Sequence, residues 1–112
     1  MPPAPLWSAR ITTAGQSCIA FLKGELDMVA AKALRDLLIT ELDTQETTTV
    51  VADLADVTFL DSAALGALIS AYQHADNTGR RFAVRNPTRA VRRILEITGV
   101  LEFLSLPEPA QS

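Results

Sequence analysis

The spacing of hydrophobic and polar residues changes along this chain, and each change marks an element. From Leu6 to Thr12, Trp7, Ala9 and Ile11 alternate with Ser8, Arg10 and Thr12, the period of a strand buried on one face. Ala14-Gly15-Gln16 supplies a turn. Cys18 to Lys23 is a nearly unbroken apolar run, which predicts a strand covered on both faces and paired with the first as a hairpin. Gly24-Glu25-Leu26-Asp27 breaks that strand, and Asp27 suits a helix N-cap because its carboxylate accepts from unpaired amides. The period then becomes helical from Met28 to Leu42. Ala30, Ala33, Leu34, Leu37, Leu38 and Leu42 fall on one side, with Lys32, Arg35, Asp36 and Glu41 on the other.

The β-branched stretch Thr47 to Leu54 predicts a central strand, and Ala55 to Leu60 a connecting loop. A second helix starts at Asp61 or Ser62 and runs to about Thr78, with Gly79 as its stop. Arg81 to Arg85 is a short strand. Asn86 as cap and Pro87 at the first helical position open a third helix to Thr98, with Val91, Ile94 and Leu95 inward and Gly99 as stop. Phe103, Leu104 and Leu106 suggest a last strand. The order β-β-α-β-α-β-α-β predicts an α/β fold: a mixed sheet of four to five strands with three to four helices mainly on one face. Prolines at 2, 3, 5, 107 and 109 mark residues 1–5 and 107–112 as flexible tails around one domain at 6–106.

Composition narrows the function. The chain has 112 residues, 48% hydrophobic and 21% charged, the balance of one globular domain. A net charge of -3 gives no general attraction to nucleic acid or anionic membrane. No apolar run approaches the roughly 20 residues of a membrane span, and residues 1–5 lack the basic and apolar pattern of a secretory signal. The cytoplasm is the expected location. Cys18 stands alone, so it offers no intrachain disulfide and reads as a small buried hydrophobe. His74, the single histidine, reads as solvent-facing, and no cluster suggests a metal. Arg80, Arg81, Arg85, Arg89, Arg92 and Arg93 lack interleaved aromatics, so they suggest a solvated or ion-pairing surface rather than a nucleic-acid site. There is no phosphate loop and no HExxH, and a Ser62–His74 pair would be three helical turns apart. Neither a catalytic residue nor a cofactor is expected.

The informative stretch is Val50 to Gly66, VVADLADVTFLDSAALG. It places Asp61-Ser62 at a helix mouth, where unpaired amides and the positive dipole end accommodate a phosphate and a kinase can reach the hydroxyl. Ser62, Gly66, Ser70, Gln73 and Asn77 form one helical stripe. Leu65, Leu68 and Tyr72, flanked by Ala64 and Ala75, form the stripe that packs on the sheet. Gly66 costs about 1 kcal/mol relative to Ala in a helix. It either admits a partner's backbone or relieves crowding against the sheet, and Ser62 is either an acceptor or a plain N-cap.

Gly24-Glu25-Leu26-Asp27, Thr58-Phe59-Leu60-Asp61-Ser62 and the Asn86-Pro87 helix start together resemble the signature stretches of STAS domains. The small stand-alone members of that family are bacterial anti-sigma-factor antagonists. The stripe reads as a docking surface at which Asp61, Ser62, Ala63, Gly66, Ser70 and Gln73 meet a partner, and the resemblance implies that Ser62 is a phosphoacceptor. It gives Asp27 a mainly structural role. The implied partners are an anti-sigma factor serine kinase, captured by the unmodified chain to free a sigma factor, and a PP2C-type phosphatase that resets the cycle. A monomer or weak dimer is expected. Ala63 and Ala64 depart from the family pattern, which usually carries a second hydroxyl and a glycine here. Ala63 leaves Ser62 the only acceptor in this turn, and the Ala64 methyl is expected to limit a kinase's approach. That departure leaves a second reading: a non-phosphorylated STAS subunit of a membrane lipid-transport or transporter complex.

Overall fold

The strands lie in the sheet in the same order as in the chain: β1 (Trp7–Ala14), β2 (Ser17–Leu26), β3 (Thr49–Leu60) and β4 (Arg81–Arg85). The helices are α1 (Met28–Leu42), α2 (Ser62–Asn77), α3 (Arg89–Ile97) and α4 (Leu101–Leu104). This computed structural model describes residues 6–105. The expected tails and Leu106 lie outside the described residues. β1 and β2 form the antiparallel hairpin, and β2, β3 and β4 are mutually parallel. Right-handed crossovers that step the same way across a sheet put their helices, α1 and α2, on one face.

Register explains the core. Cys18, Val50 and Phe82 form one row across the sheet, and Ala20, Ala52 and Val84 the next. Both rows belong to one apolar cluster that includes Leu34 and Leu38 of α1, Leu68 of α2, Val91 and Leu95 of α3, and Leu104 of α4. The rows that alternate with them, Ile19, Val51 and Ala83 and then Phe21, Asp53 and Arg85, point to the opposite face. There Ile19 and Phe21 are half-buried and Lys23 is exposed, so β2 is covered on one face only, not on both.

Several expectations change. Gly24-Glu25-Leu26-Asp27 does not break β2, which absorbs two register shifts and runs on to Leu26. Gly24 makes this possible at φ +97°, where a Cβ would overlap the Leu6 carbonyl that accepts from the Glu25 N–H at 2.9 Å. Residues 55–60 are not a loop; they extend β3, because Asp56, Val57, Phe59 and Leu60 still pair with β2. In α1 the buried stripe is Ala30, Leu34, Leu38 and Leu42, with Leu37 half-buried and Ala33 exposed. α2 ends as expected, with Gly79 at φ +73° and the Arg80 N–H donating to the Ala75 carbonyl at 2.8 Å.

Among the described residues the last element is a helix, and residues 101–104 form no strand. Val100 and Leu104 are both buried, and their spacing of four suits a helical face rather than a pleat. Phe103 of α4 stacks on Tyr72 with ring centroids 5.0 Å apart. A single parallel bridge, Val84 to Ser105, is what remains of sheet pairing there.

Candidate functional site

The opening of α2 lies where β3 ends. Asp61 has extended backbone, and its carboxylate accepts from the Ala64 N–H at 2.9 Å, so Asp61 is the N-cap. Ser62 is therefore the first helical residue, with its side chain exposed and not committed to capping. Ala63 is also exposed. Ala64 is fully buried, so its methyl faces the core and takes no space from an approaching protein, contrary to the expectation above. Asp27 caps α1 in the same manner, accepting from the Val29 and Ala30 amides at 3.0 and 3.1 Å. The Asp61 N–H donates to the Leu26 carbonyl at 3.1 Å, which fastens the two helix openings side by side.

From Ser62 the stripe continues along α2. Gly66, Gln73 and Asn77 are exposed and Ser70 is half-buried. A Cβ on Gly66 would meet nothing within 4 Å, so relief of crowding does not explain this glycine. The opposite face is buried through Ala64, Leu65, Ala67, Leu68, Ala71 and Ala75, with Tyr72 half-buried.

The sequence reading missed three exposed hydrophobics at this end of the sheet. Met28 and Val29, in the first turn of α1, are 74% and 85% exposed, and Phe59 near the end of β3 is 47% exposed. Phe59 pairs with Glu25 and Leu60 with Leu26, at the end of the sheet where α1 and α2 begin. The available signal was the absence of an inward partner for Met28-Val29 in the helical period.

The opening of α3 differs. Asn86 is not its cap. It sits at φ +54°, and its Nδ2 donates to Asp53 Oδ2 at 3.0 Å. The cap is Thr88, whose hydroxyl accepts from the Val91 N–H at 3.4 Å and donates to the Val57 carbonyl at 2.9 Å. Pro87 precedes the helix rather than starting it. Asp53, singled out by no sequence signal, is 5% exposed and also accepts from Arg85 Nε at 2.7 Å and the Ala55 N–H at 3.0 Å. Burial pushes its carboxyl up. The hydrogen bonds from Arg85, Ala55 and Asn86 outweigh that and hold it below its ordinary 3.8.

His74 is half-buried rather than solvent-facing, with Nε2 2.6 Å from Asp43 Oδ1 at the end of α1. Cys18 is fully buried 3.7 Å from Glu41, and burial, with help from that carboxylate, pushes its thiol up to about 11. It stays protonated and unreactive. Among the arginines, Arg92 pairs with Glu96 at 2.8 Å and Arg80 donates to the Thr47 carbonyl at 2.9 Å. No group of three metal-ligating side chains occurs among the described residues.

The sequence profile of the STAS domain matches residues 8–110. The chain belongs to the STAS domain family. It is 25% identical over 88 residues to an anti-sigma F factor antagonist of Paenibacillus polymyxa, covering 79% of this chain and 75% of that one. An anti-sigma factor antagonist from Mycobacterium paratuberculosis superimposes with a TM-score of 0.79 at 25% identity, over 92% of this chain and 86% of that one. The antagonist SpoIIAA in its unphosphorylated form gives 0.76 at 20% identity, over 90% of each chain. Its phosphorylated form, from Bacillus, gives 0.69 at 19% identity, over 90% of this chain and 93% of that one. No helix among the described residues is long and apolar enough to cross a membrane.

Proposed function

We propose that this STAS domain is an anti-sigma factor antagonist: unmodified, it captures an anti-sigma factor serine kinase and frees a sigma factor, and phosphorylation of Ser62 switches it off. The observation that carries this reading is the division of labour at the α2 opening. Asp61 caps the helix, which leaves the Ser62 hydroxyl exposed and available. The kinase then rests on Asp61, Ser62, Ala63, Gly66, Ser70 and Gln73, with Met28, Val29 and Phe59 as apolar anchors beside them.

The electrostatics suit a switch. A phosphoserine adds about -1.5 to -2 charges. Locally the open amides of α2 accept them, so the domain keeps its fold. At a docked interface the added charge, next to Asp61, must be desolvated without a new cationic partner, and the complex dissociates. A PP2C-type phosphatase restores the hydroxyl.

The direct test is to incubate the chain with an anti-sigma kinase and ATP and to map the product by mass spectrometry. The expected result is one phosphoryl group, on Ser62, absent in Ser62→Ala. A chain that forms a stable complex with membrane-transport proteins and takes up no phosphoryl group supports the transporter-subunit reading instead.

A further inference from the structure

Outside the α2 opening, the outward face of α3 is charged in a way that does not serve its own helix. Val91 and Leu95 turn inward and are fully buried. On the other side Arg89, Arg92 and Arg93 are all exposed. Arg89 lies in the first turn, at the positive end of the helix dipole, and that turn contains no acid. Arg89 and Arg93 have the i, i+4 spacing at which like charges repel across one turn. Arg92 is relieved by Glu96 at 2.8 Å, but Arg89 and Arg93 make no ion pair among the described residues. The neighbouring sequence does not dilute the charge. From residue 80 to 105 six arginines stand against Glu96 and Glu102, in a chain whose net charge is -3.

The same face carries exposed hydrocarbon. Ala90 and Ile97 are both exposed, Ile97 by 73%. They are one heptad apart, close to two full turns, so they lie along one line of the helix with Arg93 between them. Local rules broken with no internal compensation tend to mark functional positions.

The chemistry of the occupant follows from both features. It must be anionic, and it must cover an apolar side chain. A nucleic-acid backbone meets the first demand but not the second, and α3 has no aromatic residue on which a base could stack. A second copy pairing its α3 antiparallel about a two-fold axis would set Arg93, the middle residue of the helix, against itself. We infer that α3 is a docking ridge for an acidic amphipathic helix of another protein. Carboxylates of that helix pair with Arg89 and Arg93, and its apolar residues, one heptad apart, pack over Ala90 and Ile97. The short side chain of Ala90 lets the two helices approach.

The probe is a capped peptide of about 15 residues, long enough to hold a helix, with leucines at heptad spacing and glutamates beside them. It is titrated into the full 112-residue chain while the Arg93 and Ile97 amides are followed by NMR. The expected result is a saturable shift at both amides, binding that weakens with salt, and about tenfold weaker binding to Arg93→Glu. A peptide with lysine in place of glutamate should bind poorly to the unaltered chain and better to Arg93→Glu. Ile97→Ser should weaken the glutamate peptide although no charge changes. Both side chains are exposed, so urea denaturation should show both variants as stable as the unaltered chain. No kinase takes part in the titration, so it succeeds or fails independently of the Ser62 reading. The inference is overturned by unmoved amides at millimolar peptide, by equal binding of the two peptides, or by a DNA duplex that binds more tightly than the glutamate peptide at the same salt. A salt-sensitive dimer of the chain alone, lost in Arg93→Glu, would overturn it as well, since an acidic surface of a second copy would then be the occupant.

Discussion

Two helix openings in this molecule start from similar sequence signals and end in opposite states. At α2, Asp61 makes a single capping bond and leaves Ser62 and Ala63 exposed. At α3, Arg85, Asn86 and Thr88 are all bound back to β3, through Asp53 and the Val57 carbonyl. The difference lies in what the neighbouring strand offers. Asp53 is buried midway along β3 and gathers the turn before α3, whereas nothing polar and buried reaches the mouth of α2. One opening is spent on holding the fold together. The other is left open to solvent.

The largest expected effect comes from breaking the closed opening. Asp53→Ala should lower stability by about 2 kcal/mol in urea denaturation, because the turn before α3 loses the bonds from Arg85, Asn86 and the Ala55 N–H together. The same carboxylate predicts a pH dependence. Its folded value lies below the ordinary 3.8, so the unfolded chain takes up the proton first. Its contribution is therefore complete above about pH 5 and is lost as pH falls through the folded value. Asp53→Asn should flatten the acid limb of the stability–pH curve; an unchanged limb assigns acid sensitivity elsewhere.

Smaller effects test the open mouth. Asp61→Ala should cost about 1 kcal/mol, the usual penalty for a lost carboxylate cap, and fray the start of α2 in hydrogen exchange. Gly66→Ala should stabilise by up to about 1 kcal/mol, since its methyl meets only open space. If the stripe docks a kinase, that same variant binds more weakly, so stability and affinity move in opposite directions. Ser62→Ala should shift stability by less than about 0.5 kcal/mol while abolishing phosphorylation. A loss comparable to Asp61→Ala would mean that Ser62 shares the cap after all.

Most of the fold was legible because the hydrophobic period reports burial directly. The strand–helix alternation, the extent of α1 and the glycine stop of α2 all follow from it. The misreadings arose where a longer-range partner overrode a local preference. Gly24 looks like a strand breaker, yet it is the residue that lets β1 and β2 stay in contact. Asn86-Pro87 looks like a helix start, but Asp53 draws Asn86 away and Thr88 caps instead. Residues 55–60 look like a loop because Asp56 and Thr58 interrupt the apolar run, though they alternate with Val57 as a pleat requires. At the site, Ser62 and its stripe stood out in the sequence. Which of Asp61 and Ser62 caps the helix did not, since both residue types can do it. The exposed Met28 and Val29 were legible only as residues out of phase with the Ala30, Leu34 and Leu38 stripe, and Phe59 carried no such sign.

The central claim is that a doubly charged group at Ser62 changes docking and not folding. It is tested most directly by measuring kinase affinity and urea stability on one sample before and after stoichiometric phosphorylation. The account predicts that affinity falls by at least about 100-fold while stability moves by less than about 1 kcal/mol. Undiminished affinity, or a weakened complex accompanied by comparable loss of the fold, would contradict it.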